Sequence, residues 1–249
     1  MADWNDNTRT QTNFGSVPRA GGEVVYDEGL RSYMLSIYNY MASAVLLTGI
    51  VALGAAMSGL TMAMLESGLF IVVALAPLAF ILAMSFGLHK MSQGTLQIVF
   101  WAFAAVMGLS ISTIFFQYTG ASIATTFFAT AGAFAGLSLW GYTTKKDISG
   151  WGSFLFMGVI GLILASLLNM GWAYFTGAPI SGLSLVISGL GVLIFAGLTA
   201  YDTQRLKNDY QYLRGTPMMG KAVIMGATSL YLDFVNMFMF LLQFLGSRE

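Results

Sequence analysis

Two aspartates in apolar surroundings are the places where this chain could do chemistry. Asp202 closes a run of 54 residues, Ile148 to Tyr201, that contains no Asp, Glu, Lys, Arg or His. Asp233 stands 12 residues after Lys221 and 15 before Arg248, in a stretch that is otherwise apolar apart from a few amides. At about 1.5 Å per residue in a helix, this spacing puts Asp233 near the middle of a bilayer. A carboxylate at that depth costs about 2.5–3.5 kcal/mol on an insertion scale, so an acid kept there is a functional candidate with a partner to be named. The structural alternative is a protonated Asp233 hydrogen-bonded to a neighbouring helix.

Asp202 is the partner that helical geometry offers. The segment Thr203 to Leu213 contains good helix formers and no Gly or Pro before Gly215, so the helix carrying Asp202 can run on to about Leu213. Asp202 then lies 11 residues from that end and Asp233 12 from Lys221, which brings the two level on antiparallel neighbours joined by a short loop. Two carboxylates in one dry site do not both ionise easily, so the pair would hold a proton between them and act as a pH switch. Arg205, three residues on, shares a helix face with Asp202 and could lower the cost of its charge. His89 and Lys90 could close a salt bridge over the pair; as plain interfacial side chains they would only mark topology. Tyr201, Gln204 and Asn236 are neutral oxygen carriers nearby, and carboxylates with amide oxygens suit a hard cation such as calcium, held transiently at Asp202 and Asp233. A helix-packing hydrogen bond is the equal alternative for Asn236.

The elements that must position these residues follow from composition. The chain of 249 residues is 57% hydrophobic and 9% charged, against about 25% charged in soluble domains. Its charge-free runs are Ser32–Leu65, Ser67–Leu88, Met91–Thr144 and Ile148–Tyr201. A helix crosses a bilayer with about 20 residues, so each of the two longest runs holds two spans. Tyr118-Thr119-Gly120 and Thr176-Gly177-Ala178-Pro179 mark the breaks between them. With Ala222–Gly246 this predicts an all-α integral membrane protein of seven transmembrane helices, at about 33–62, 67–88, 93–117, 121–143, 151–175, 181–208 and 221–246. The runs lack the alternation of barrel strands. Residues 1–30 read as a flexible polar cytoplasmic tail and 31–249 as the seven-helix domain. Pro77 predicts a kink in the second span, and Gly132 and Gly136 form a small-x-x-x-small pair suited to helix packing.

Ten of the eleven Lys and Arg residues fall on one side of such a topology, with only Arg248 on the other, which predicts a cytoplasmic N-terminus. The absence of Cys excludes disulfides, thiolate metal sites and cysteine nucleophiles, and one His excludes a histidine zinc cluster. A net charge of zero argues against a nucleic-acid partner. No cofactor is implied. A retinal protein would need a lysine in the last span, and none lies between Ala222 and Glu249. An intramembrane aspartyl protease is the enzyme alternative: Tyr201-Asp202 fits it, but Leu230-Tyr231-Leu232-Asp233 stands where Gly-x-Gly-Asp is needed, and Pro-Ala-Leu is absent.

The chain resembles the Bax inhibitor-1 family, also called the transmembrane Bax inhibitor motif family. The resemblance is carried by Gly197-Leu198-Thr199-Ala200-Tyr201-Asp202-Thr203-Gln204, by Tyr231-Leu232-Asp233-Phe234-Val235-Asn236, and by Gly29-Leu30-Arg31-Ser32-Tyr33-Met34. It implies a last helix that is central and surrounded by the other six. It also implies a pH-sensitive calcium leak whose proton-sensing pair maps onto Asp202 and Asp233, and a bacterial member seated in the inner membrane. A basic latch residue in the second span has no clear counterpart, since that span ends Ser85-Phe86-Gly87-Leu88-His89-Lys90.

The leading expectation is therefore a non-enzymatic calcium leak or exchanger, gated by protons at the aspartate pair. The alternative is a regulatory membrane protein that modulates a membrane protease or stress response without conducting ions.

Overall fold

The structure is a computed structural model that describes residues 28–247. Of the expected tail, residues 1–27 lie outside the described residues, as do Arg9, Arg19 and Arg248 of the charge count. The described residues form eight helices: α1 (Glu28–Met57), α2 (Leu60–Glu66), α3 (Phe70–Gly87), α4 (Gln93–Ile111) continued by a 3-10 turn (Ser112–Phe116), α5 (Gly120–Thr143), α6 (Trp151–Thr176), α7 (Ser181–Leu213) and α8 (Met219–Leu245). Seven of them are long and apolar enough to cross a membrane; α2 is the short exception. Helix is the form this composition requires, because it satisfies every backbone N–H and C=O within its own segment where no water is available.

The expected first span, 33–62, is wrong at both ends. α1 already begins at Glu28, and Gly59, at φ 77°, turns the chain after Met57 so that residues 60–66 form α2. Thr61 of α2 is fully buried and donates to Ser112 Oγ at 2.8 Å, which fixes this outer segment to the end of α4. Pro77 does not break α3. It lacks the N–H that would bond Val73, and Ser110 of α4 donates to the Val73 carbonyl oxygen at 2.7 Å in its place.

α8 is the most buried span, with 67% of its apolar window inside the protein against at most 33% for any other. It packs on α7, α1, α5 and α4, while α3 leans mainly on α4 and α6 on α7. Large apolar side chains such as Phe154, Leu168 and Phe175 cover the outside. Close packing runs through glycines other than those the small-residue pattern suggested. Gly132 and Gly136 are exposed, with nothing near their missing Cβ positions. The seam between α5 and α7 instead closes at Gly141, where a Cβ would collide with the backbone of Ala200, and α6 meets α7 through Gly158 and Gly197.

Candidate functional site

α7 is one continuous helix to Leu213, and Gly215, at φ 77°, turns the chain directly into α8. This short antiparallel connection brings Asp202 and Asp233 to the same cavity, as their spacing from the turn predicts. Both are buried, with 7% and 5% of their surface exposed. Their surroundings nevertheless differ. Arg205 Nη1 lies 3.2 Å from Asp202 Oδ1, one turn along the same helix. Its Nη2 donates to Ser229 Oγ of α8 at 3.3 Å, so the guanidinium bridges the two helices. The same group lies over the Tyr201 ring at 5.8 Å, and Tyr201 fits against α6 because Gly152 has no Cβ to meet it. Among the described residues Asp233 has no such ion pair, and its Oδ2 is buried without a hydrogen-bond partner.

The other expected site residues divide. Tyr201 and Asn236 line the cavity beside the carboxylates. Asn236 Nδ2 donates to the Leu232 carbonyl at 2.8 Å, leaving the amide oxygen as an acceptor. Gln204 turns away, since two residues along a helix is a rotation of about 200° from Asp202. Its Nε2 donates to Lys146 O at 2.8 Å and its Oε1 accepts from Ile148 N at 3.0 Å, so both ends satisfy backbone of the α5–α6 loop. It is a loop clamp, and the supporting role beside the carboxylates does not hold for it. His89 and Lys90 sit exposed in the turn after α3 and do not line the cavity. The basic contact at that helix end comes from Lys221, whose Nζ donates to Leu88 O at 3.0 Å and satisfies a terminal carbonyl.

Sequence reasoning missed Ser229 and Lys221. The signal for Ser229 was its place one turn before Asp233 on α8; Lys221 carried none, because its partner is a backbone oxygen 133 residues away. Among the described residues no three His, Cys, Asp or Glu side chains gather as a metal cluster. The oxygen-bearing side chains that line the cavity are Asp202, Asp233, Asn236, Ser229, Ser166 and Tyr201.

A seven-span helical membrane protein with two buried carboxylates facing one cavity from consecutive antiparallel helices is the class defined by this geometry. Residues 30–249 match the profile of the family described as inhibitor of apoptosis-promoting Bax1, and the chain belongs to that family, the Bax inhibitor-1 family. It is 43% identical over 236 residues to the inner membrane protein YbhL of Escherichia coli (strain K12), covering 93% of this chain and 98% of that one. It is 44% identical over 226 residues to an uncharacterized protein of Rickettsia prowazekii, covering 90% and 93%. A Caulobacter vibrioides protein matches at 42% over 251 residues, covering 94% and 96%.

Proposed function

We propose that the protein is a non-enzymatic, pH-sensitive leak or exchanger for calcium in a bacterial inner membrane. In this reading the proton shared by Asp202 and Asp233 biases two packings of α7 and α8. The observation that carries the reading is the pair of buried carboxylates facing one cavity with a single guanidinium between the helices. Two acids and one fixed cation leave one place for a proton or a cation, so proton binding and cation binding compete for the same oxygens. The inner membrane follows from likeness to YbhL, whose name places it there. A cytoplasmic N-terminus follows from the Lys and Arg distribution, which puts Arg205 and the α7–α8 turn at the cytoplasmic end.

Calcium flux into liposomes carrying the purified protein tests this, measured from about pH 6 to about pH 8 beside Asp202→Asn and Asp233→Asn. The leak reading expects pH-dependent flux in the wild type and a flattened profile in both variants. Liposomes as tight as empty ones for all three proteins would sink it and leave the regulatory role in its place.

A further inference from the structure

We propose that the aspartate cavity is also a binding site for an amphiphilic organic ammonium, an amine with a hydrocarbon or aromatic body that reaches it sideways from the lipid. This goes beyond the leak reading, because such a site can exist whether or not calcium passes.

The size and shape of the cavity come first. Its volume is about 830 Å³, within the roughly 300–1,000 Å³ of small-molecule sites and far more than one ion needs. Its walls are mostly apolar, formed by residues such as Phe156, Val159, Ile163, Leu167 and Phe240, with Ile81 of α3 on the far side. α3 and α6, which flank it, are not among the closely packed helix pairs. Phe156, Ile163 and Leu167 of α6 keep more than half of their surfaces exposed, at 63%, 54% and 52%. The mouth therefore opens along the hydrocarbon side of the bundle, where a ligand that partitions into lipid arrives already concentrated.

Charge selects the class of ligand. The floor holds Asp202, Asp233 and Arg205, two acids to one base. Arg205 is committed to Asp202 and Ser229. Lys207 and Lys221 are engaged elsewhere: Lys207 Nζ donates to Tyr142 O at 2.7 Å and lies over that ring, and Lys221 bonds Leu88 O. Lys90, Lys145 and Lys146 are exposed and do not line the cavity. Asp233 Oδ2 remains buried and unpartnered, and a buried acceptor without a donor is costly. An ammonium group supplies both the missing donor and the missing charge. Its further N–H groups can meet Asn236 Oδ1, one turn away on α8, which has no partner among the described residues. An anionic amphiphile would meet like charge, and a neutral alcohol would leave the second acid uncompensated.

The test uses the full chain in lipid nanodiscs with a photoactivatable dodecylamine carrying a diazirine on its chain, beside the alcohol of the same chain. Labelled peptides are mapped by mass spectrometry. The amine should label the segments around Ile163, Leu167 and Ile81 about tenfold more than the alcohol, a difference of about 1.4 kcal/mol. Excess unlabelled dodecylamine should protect the wild type, and dodecanol should not. Asp233→Asn should abolish the preference for amine. Leu167→Trp, which fills the mouth and keeps both carboxylates, should lower labelling by the amine. Equal labelling by amine and alcohol, or protection by dodecanol as good as by dodecylamine, would overturn the proposal. Amine-selective labelling in a protein whose liposomes stay calcium-tight supports this site while sinking the leak; pH-dependent flux without amine selectivity does the reverse.

Discussion

The two faces of α8 handle buried polar groups in opposite ways. On one face Tyr231, fully buried, sits 2.7 Å from Thr48 Oγ1 of α1, and Thr48 in turn donates to Ala104 O of α4 at 2.9 Å. Thr48 has a single hydroxyl proton, so Tyr231 must be the donor in their contact. The tyrosine ring also meets Phe103 edge-on at 5.3 Å. Every polar atom in this chain of contacts has a partner, and it pins α8 to α1 and α4. Two residues on, Asp233 faces the opposite cavity with an oxygen that has none. A further cavity, between α1 and α5, is apolar apart from Thr48, and is lined by Phe127, Phe234 and Phe238 among others. Satisfied polar groups hold one face of α8, and the unpartnered Asp233 oxygen on the other is the acceptor that the proposed ammonium would meet.

That contrast can be broken by substitution. The largest stability effect is expected at Gly141→Val, which forces a side chain into the backbone of Ala200 on the seam that holds α7 from behind. It should cost about 3 kcal/mol and lower the melting temperature in detergent sharply, or prevent insertion. Thr48→Val comes next, at about 2 kcal/mol, because it strands the Tyr231 hydroxyl in a closed site. Asp233→Asn should be close to neutral or stabilising in the same melting assay, since it removes a buried carboxyl whose Oδ2 has no hydrogen-bond partner. A loss larger than that of Thr48→Val would show that Asp233 is a structural pin like Tyr231, and the contrast would collapse.

The smallest effect lies outside the membrane. Ser149 donates its hydroxyl to Asp147 Oδ1, and its backbone N–H bonds the same oxygen at 2.9 Å. The side-chain bond first and the backbone bond second hold the Asp147 carboxyl below its ordinary value. A depressed carboxylate contributes stability that is present above its unfolded value and lost as pH falls through its folded value. Ser149→Ala should raise the Asp147 titration toward normal, readable by NMR, while leaving stability at neutral pH almost unchanged because the group is fully exposed.

How much was legible beforehand depended on whether a feature was local along the chain. Span number, the breaks inside the two longest apolar runs and the convergence of Asp202 and Asp233 needed only apolar run lengths and helical rise, and the structure agrees with them, whereas the turn after the first span comes earlier, at Gly59. Gln204 looked like a neighbour of the carboxylates because it is near Asp202 in sequence, but helical rotation carries it to the loop. Gly132 and Gly136 matched a packing pattern that any exposed face can also carry, whereas Gly141 and Gly158 do the packing without matching a recognisable motif. His89 and Lys90 were attractive as charges at a helix end, yet the end they follow is satisfied by Lys221 from another helix.

By itself the sequence determined that this chain belongs in a bilayer, has seven helices long and apolar enough to cross it and carries two acids toward one another on consecutive antiparallel spans. Those results follow from the length of apolar runs and the rise of a helix, which do not depend on what a helix packs against. Only the tertiary structure decided that Arg205 joins Asp202 to Ser229, that Asp233 keeps an unpartnered oxygen, and that the cavity over both opens between α3 and α6. Partner choice and cavity shape are set by side chains arriving from helices far away in sequence, so no local pattern encodes them.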